Sequence, residues 1–154
     1  MGLQRITNCI LIHQDKILMI KKPRRGWYAI PGGKMEQGET IIEGAAREFK
    51  EETDLDIIEP KLQGVFSFLM YDGDTLENEW MMYTFVSKNY EGTLTSYCPE
   101  GILEWVPVKD ILKVPMAEGD REIFKHVLTK DDILYGTFSY TTEVELIKFR
   151  KSSM

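Results

Sequence analysis

Apolar residues from Ile6 to Ile12 form a largely β-branched run that breaks at Gln14-Asp15 and resumes from Ile17 to Ile20, a pattern that predicts a β-hairpin. His13 falls at its turn, where a lone histidine reads as solvated. The period then changes. Ile42, Ala45, Ala46 and Phe49 recur at helical spacing, and Thr40 followed by Glu43 is a T-x-x-E capping box that sets the helix start near Ile41. Strand-like runs return at Ile57-Ile58, Val65 to Tyr71 and Trp80 to Val86, the last two joined by a hairpin signal at Asp72-Gly73. Cys98 to Gly101 reads as a turn before a strand from Leu103 to Val106, and a short helical turn follows Pro107. Ile123, Phe124, Val127 and Leu128 place a second amphipathic helix over 119–129. Leu134 to Tyr140 and Val144 to Phe149 close the chain as two more strands. The expected class is α/β (α+β), a central mixed sheet flanked by helices.

With 154 residues, 43% of them hydrophobic, and neither a repeat nor a linker, residues 1–154 are expected to form a single domain with a full core. The formal charge of −6 is local: residues 36–59 carry nine acids against two bases, and the remainder is close to neutral. Neither this balance nor any basic run offers a track for a nucleic-acid polymer, so the expected partner is a small molecule. No apolar stretch is long enough to cross a bilayer and no secretory signal stands out, so no membrane partner is expected. Cys9 and Cys98 fit no zinc pattern, and a cytoplasmic location follows as the expectation. Oligomeric state is left open.

The acidity concentrates on the first helix, where Glu48, Glu51 and Glu52 stand at i, i+3 and i+4 and gather on one patch. Like charges so placed cost an isolated helix about 0.2–0.5 kcal/mol each. One reading is a solvated acidic face partly balanced by Arg47 and Lys50. The other is a cation site, because the glycines Gly32 and Gly33 let backbone approach a ligand, Gly38 permits a tight turn, and clustered carboxylates suit Mg2+ or Mn2+. Upstream lies the basic run Lys21-Lys22-Pro23-Arg24-Arg25, in which Arg24 or Arg25 is the candidate to hold a terminal phosphate, against the alternative of an exposed loop.

Residues 32–55 resemble the Nudix box, G-x5-E-x7-R-E-U-x-E-E-x-G-U with U a bulky apolar residue. Gly33, Glu39, Arg47, Glu48, Phe49, Glu51, Glu52 and Leu55 match it, and Asp54 replaces its last glycine. The resemblance implies a Nudix α/β/α sandwich that hydrolyses a nucleoside diphosphate linked to another group, with Mg2+ as cofactor. Carried onto matching positions, it makes Glu48, Glu51, Glu52 and the Gly32 carbonyl metal ligands, Arg47 the group that orients Glu48, and Glu39 the anchor of the loop. Members of the family draw the general base either from a box glutamate or from a later loop; Glu100 is the candidate for the later one, against a reading as a plain surface glutamate, with Glu104 behind it. Outer segments extend the resemblance to MutT-type oxidised-purine nucleoside triphosphatases, which release pyrophosphate and a monophosphate. Ala29, however, stands where the animal enzyme has a base-reading asparagine, which weighs against 8-oxoguanine selectivity. Glu118 and Asp120 are the candidate base contacts, Asp120 competing with a reading as helix N-cap. An ADP-ribose or other nucleotide-conjugate pyrophosphatase is the alternative activity, and a non-catalytic nucleotide-binding module the remote one.

Overall fold

The computed structural model describes residues 3–152. Its strands are β1 (Gln4–His13), β2 (Lys16–Lys21), β3 (Tyr28–Ala29), β4 (Gly32–Lys34), β5 (Asp56–Ile58), β6 (Lys61–Asp72), β7 (Thr75–Ser87), β8 (Asn89–Glu91), β9 (Ile102–Pro107), β10 (Leu134–Thr141) and β11 (Leu146–Ser152). The helices are α1 (Ile41–Thr53) and α2 (Glu118–Val127), with a 3-10 turn at Val108–Lys113. The first hairpin forms as expected. Gln14 and Asp15 both adopt positive φ, 51° and 62°, which is how a two-residue turn matches the twist of its strands.

The main sheet runs in the order β11-β10-β6-β7-β1-β2-β3 and is mixed, since β1 lies parallel to β7 and β10 parallel to β6 while the other neighbours are antiparallel. Strand alternation sends Cys9 and Leu11 to one face, where α1 buries Ala45 and Phe49 with Leu18, Leu55 and Phe85. Ile10, Ile17, Met19, Phe66 and Phe138 point to the other face and meet Ile123 and Phe124 of α2. A helix on each face makes the α/β/α sandwich. Both cysteines are buried and free.

Three details of the sheet position the site. β1 pairs with β2 only at its end and then takes β4 as partner, through Ile6 with Lys34, Thr7 with Gly33 and Asn8 with Gly32. The stretch Gly32–Lys34, read from sequence as a loop, is therefore a short strand, because β1 supplies a ladder that no local pattern announces. The apolar stripe of α1 is also turned by one residue from the expected one. Ile42 is 44% exposed and Ala46 is exposed, while Ile41, Ala45, Phe49 and Thr53 follow an i, i+4 line toward the sheet. That line carries Glu52 inward beside it.

The ends of α1 follow local chemistry. Thr40 Oγ1 accepts from the Glu43 amide at 3.2 Å and Glu43 Oε1 accepts from the Thr40 amide at 2.8 Å, so the capping box forms in both directions. At the far end Asp54 takes a left-handed conformation, φ 67° and ψ 12°, and its amide donates to the Lys50 carbonyl at 2.9 Å. The family glycine is thus replaced by a residue type that tolerates this region. Among the described residues no helix is long and apolar enough to cross a membrane.

Candidate active site

Arg47 lies at the centre of the box. Its Nε donates to Glu39 Oε2 at 2.6 Å and Nη2 to Glu39 Oε1 at 3.0 Å, a two-pronged pair that also ties Nη2 to the Lys34 carbonyl at 3.0 Å. Nη1 reaches Glu48 Oε1 at 3.1 Å and Glu51 Oε1 at 3.2 Å. One guanidinium therefore spans three box glutamates and the strand leading to them, more than the single bond to Glu48 that the resemblance implies. Glu39 in turn accepts from the Glu36 amide at 2.7 Å across a turn in which Gly38 has φ +86°. The Arg47 hydrogen bonds, then that amide, hold the Glu39 carboxyl down to about 2. Lys50 does not serve this cluster; it pairs with Asp56 at 3.0 Å and Asp54 at 3.9 Å. The Glu48 carboxylate occupies the space a side chain on residue 33 would need, since a Cβ there would lie 2.5 Å from its Oε2. Only glycine fits.

Glu52 behaves differently from its neighbours. It is 5% exposed, and its Oε1 accepts from the Gly32 amide at 2.7 Å. Burial pushes its carboxyl up to about 7, and the nearby Glu48 and Glu100 charges add to that, against the Gly32 amide and Lys22. Glu100, the candidate general base, is thus within electrostatic reach of Glu52, on a turn closed by the Cys98–Gly101 bridge, and its Oε1 lies 3.9 Å from Lys22 Nζ. Glu104 is instead bound by the Tyr28 hydroxyl at 2.9 Å.

The donor set fits a hard divalent cation: three carboxylates within one and a half turns, one of them buried beside no strong compensating charge. The glutamates are at present held by Arg47 and Gly32 and not by one another, and among the described residues no three acidic, His or Cys side chains already converge into a cation cage.

Lys22, which acts on Glu52, also lines a cleft of about 510 Å3. One wall is the segment Trp27, Tyr28 and Ala29, preceded by Lys22, Arg24 and Arg25; the other is built from Ala117, Asp120, Thr142 and Val144. Asp120 is in the cleft, as expected of a base contact, and burial alone pushes its carboxyl up to about 7. The competing reading of Asp120 as an N-cap is incorrect: α2 starts at Glu118, its N-cap is Ala117, and no side chain caps it. The helix begins there because the Gly119 amide donates to the Tyr140 hydroxyl at 2.6 Å, so the sheet supplies what a capping side chain would. Glu118 does not line the cleft; it pairs with Arg121 at 3.2 Å.

Arg24 and Arg25, the expected phosphate contacts, both line this cleft. Arg25 Nη1 donates to the Glu143 carbonyl at 3.1 Å and its guanidinium sits 5.0 Å from the Trp27 ring centre. Lys22 influences the titration of Glu52, whereas Arg24 and Arg25 are not among the groups that do. Within the basic run the cation that acts on Glu52 is thus Lys22, which its charge alone did not distinguish from its neighbours. Thr142 and Val144 carry no sequence signal for the site at all. His13 faces away, hydrogen-bonded to the Lys88 carbonyl at 3.2 Å and packed edge-on against Tyr90.

This fold, with a glutamate helix beside a nucleoside-sized cleft, defines a hydrolase of phosphoric anhydride bonds. The NUDIX domain model matches residues 2–127, and the chain belongs to the Nudix family. It is 49% identical over 148 residues to the uncharacterized Nudix hydrolase YvcI of Bacillus subtilis strain 168, covering 96% of this chain and 94% of that one. It superposes on the crystal structure of a mutator MutT protein from Bacillus halodurans with a TM-score of 0.95 and 48% identity, over 97% of this chain and 98% of that one. A more distant relative, the NAD-capped RNA hydrolase NudC of Vibrio atlanticus, is 31% identical over 84% of this chain but 47% of its own length. Nudix hydrolases act on small nucleotide substrates and generally need a divalent cation, typically Mg2+.

Proposed function

We propose that the protein hydrolyses a purine nucleoside triphosphate to the monophosphate and pyrophosphate, with Mg2+ held by Glu48, Glu51, Glu52 and the Gly32 carbonyl. The observation that carries this reading is that Lys22, which lines the cleft together with Trp27, Tyr28 and Asp120, also acts on the buried box glutamate Glu52 and lies 3.9 Å from Glu100. When bound, the cation supplies the positive charge that phosphoryl transfer needs. Arg47 orients Glu48 and Glu51, Lys22 meets a phosphate at the mouth of the cleft, and Glu100 takes the proton of the attacking water. Trp27 and Tyr28 offer faces to a base, and Asp120 a polar edge. With Ala29 at the position of a base-reading asparagine, selection of an oxidised base falls to Asp120.

A panel of canonical and oxidised nucleoside triphosphates, ADP-ribose and other nucleotide conjugates, assayed for pyrophosphate against phosphate release, tests the reading. Triphosphates should lead the panel with pyrophosphate as product; a preference for ADP-ribose would establish the conjugate activity instead. Within the same panel, Asp120→Asn should change the ratio of kcat/KM for 8-oxo-dGTP over dGTP by roughly tenfold, about 1.4 kcal/mol of discrimination. The variant should not lose melting temperature, since Asp120 caps nothing. Its folded pKa lies above that of an unfolded aspartate, so its charge costs stability as pH rises from about 4 through about 7. The variant should gain most at or above pH 7. An unchanged ratio would remove Asp120 from base reading.

A further inference from the structure

The cleft carries more positive charge than one nucleoside uses. Lys22, Arg24 and Arg25 all line it, and Lys22 alone is drawn toward an acid, Glu100 at 3.9 Å. Among the described residues Arg24 and Arg25 form no ion pair. Asp120, the acid on the opposite wall, is held toward its neutral form by burial and forms no ion pair among the described residues. The cations are also separated along the cleft. Lys22 lies 3.9 Å from the Glu100 carboxylate, and Arg25 is fixed at the turn between β10 and β11 by the Glu143 carbonyl. Trp27, Tyr28, Ala29 and Val144 line the same cleft with apolar surface suited to the faces of a base.

We propose that this cleft is built for a nucleotide that is anionic at both ends, with its 5′ phosphoanhydride at the glutamates and Lys22 and a second phosphate, on the ribose, at Arg24 and Arg25. This rests on the reading of the site as a nucleotide hydrolase and narrows its substrate class. Arg25 is already organised for the task. One guanidinium nitrogen is spent on the Glu143 carbonyl and the guanidinium carbon lies over the Trp27 ring, 5.0 Å from its centre, so the remaining donors are restricted in orientation at low entropic cost. Arg24 follows it in the same wall without a competing carboxylate. A loop that was merely basic and solvated would have no reason to fix one arginine across a cleft onto a turn more than a hundred residues away in sequence.

Binding to the metal-free protein tests this apart from catalysis. Adenosine 3′,5′-bisphosphate should bind at least about tenfold more tightly than adenosine 5′-monophosphate, and more tightly than adenosine 5′-diphosphate, which carries the same number of phosphates at one end only. The guanosine series should behave alike. Arg24→Ala combined with Arg25→Lys, which keeps a cation at 25, should bring the bisphosphate to within about twofold of the diphosphate without lowering the melting temperature. With Mg2+, a 5′-triphosphate that also bears a 3′-phosphate should show a lower KM than the plain triphosphate. Equal binding of bisphosphate and diphosphate by the wild type, or a preference that survives in the double variant, overturns the proposal. If no nucleotide is hydrolysed yet the bisphosphate preference holds, the hydrolase reading fails and the cleft assignment stands. If plain triphosphates are hydrolysed and the bisphosphate gains nothing, the cleft assignment fails alone.

Discussion

Glu52→Gln should lower turnover at saturating Mg2+ by at least about a hundredfold while raising the melting temperature of the metal-free protein. The two effects have one origin. Glu52 is the buried member of the cluster, and among the described residues its charge has one hydrogen bond, from the Gly32 amide at 2.7 Å, with Lys22 the cation that acts on it. Gln keeps an oxygen for that amide and removes the charge a cation requires. The folded carboxyl titrates at about 7 against about 4.5 unfolded, so between those values the folded state retains a proton that the unfolded state has released. Wild-type stability therefore falls as pH rises from about 4.5 to about 7, and the variant escapes that fall. The gain in metal-free buffer should be negligible at pH 4 and reach about 2–3 kcal/mol above pH 7, several degrees for a protein of this size. Adding Mg2+ should reverse the order, because the cation stabilises the form that binds it. Calorimetry in chelator and in Mg2+ at pH 4, 6 and 8 reads both signs. Near wild-type turnover would remove Glu52 from cation binding.

What could be read from the sequence was local. The capping box, the i, i+3, i+4 glutamates and the Nudix spacing all lie within a single helix and the loop before it, where sequence distance fixes spatial distance. The phase of the apolar stripe was less legible. Ile42 and Ala46 fit a helical period as well as Ile41 and Ala45 do, and only the sheet decides which pair faces in. That rotation of one residue is what buries Glu52 and so raises the pKa of its carboxyl.

The cleft was illegible for a different reason. Its walls come from residues 22–29, 117–120 and 142–144, brought together by a sheet in which β10 pairs with β6 and the loop before β3 reaches the turn after β10. Asp120 looked like a cap because acidic residues favour helix starts, yet the Tyr140 hydroxyl already satisfies the Gly119 amide. The three cations of the basic run are equivalent in sequence; only their placement distinguishes Lys22, beside Glu52, from Arg25, beside Trp27.

Arg47→Ala should reduce kcat by at least about a hundredfold and also lower the melting temperature by several degrees, a combination that sets it apart from Glu52→Gln. Its guanidinium joins Glu39, Glu48, Glu51 and the Lys34 carbonyl, and its loss would leave three acids facing one another with no cation among them. Glu39 gives the stability change a pH signature. Its folded carboxyl is held down to about 2 while an unfolded glutamate titrates near 4.5, so the pair stabilises the protein above that value and the contribution is lost as pH falls toward 2. The difference in melting temperature between wild type and variant should accordingly be full at pH 6 and shrink steadily below pH 4.5. Arg47→Lys keeps the charge but not the fork that spans Glu39 and Glu48, so it should recover most of the stability and little of the turnover. If the lysine variant instead recovers both, Arg47 acts as a simple counter-charge; if alanine lowers stability and leaves kcat intact, it ties the loop to the helix and orients nothing.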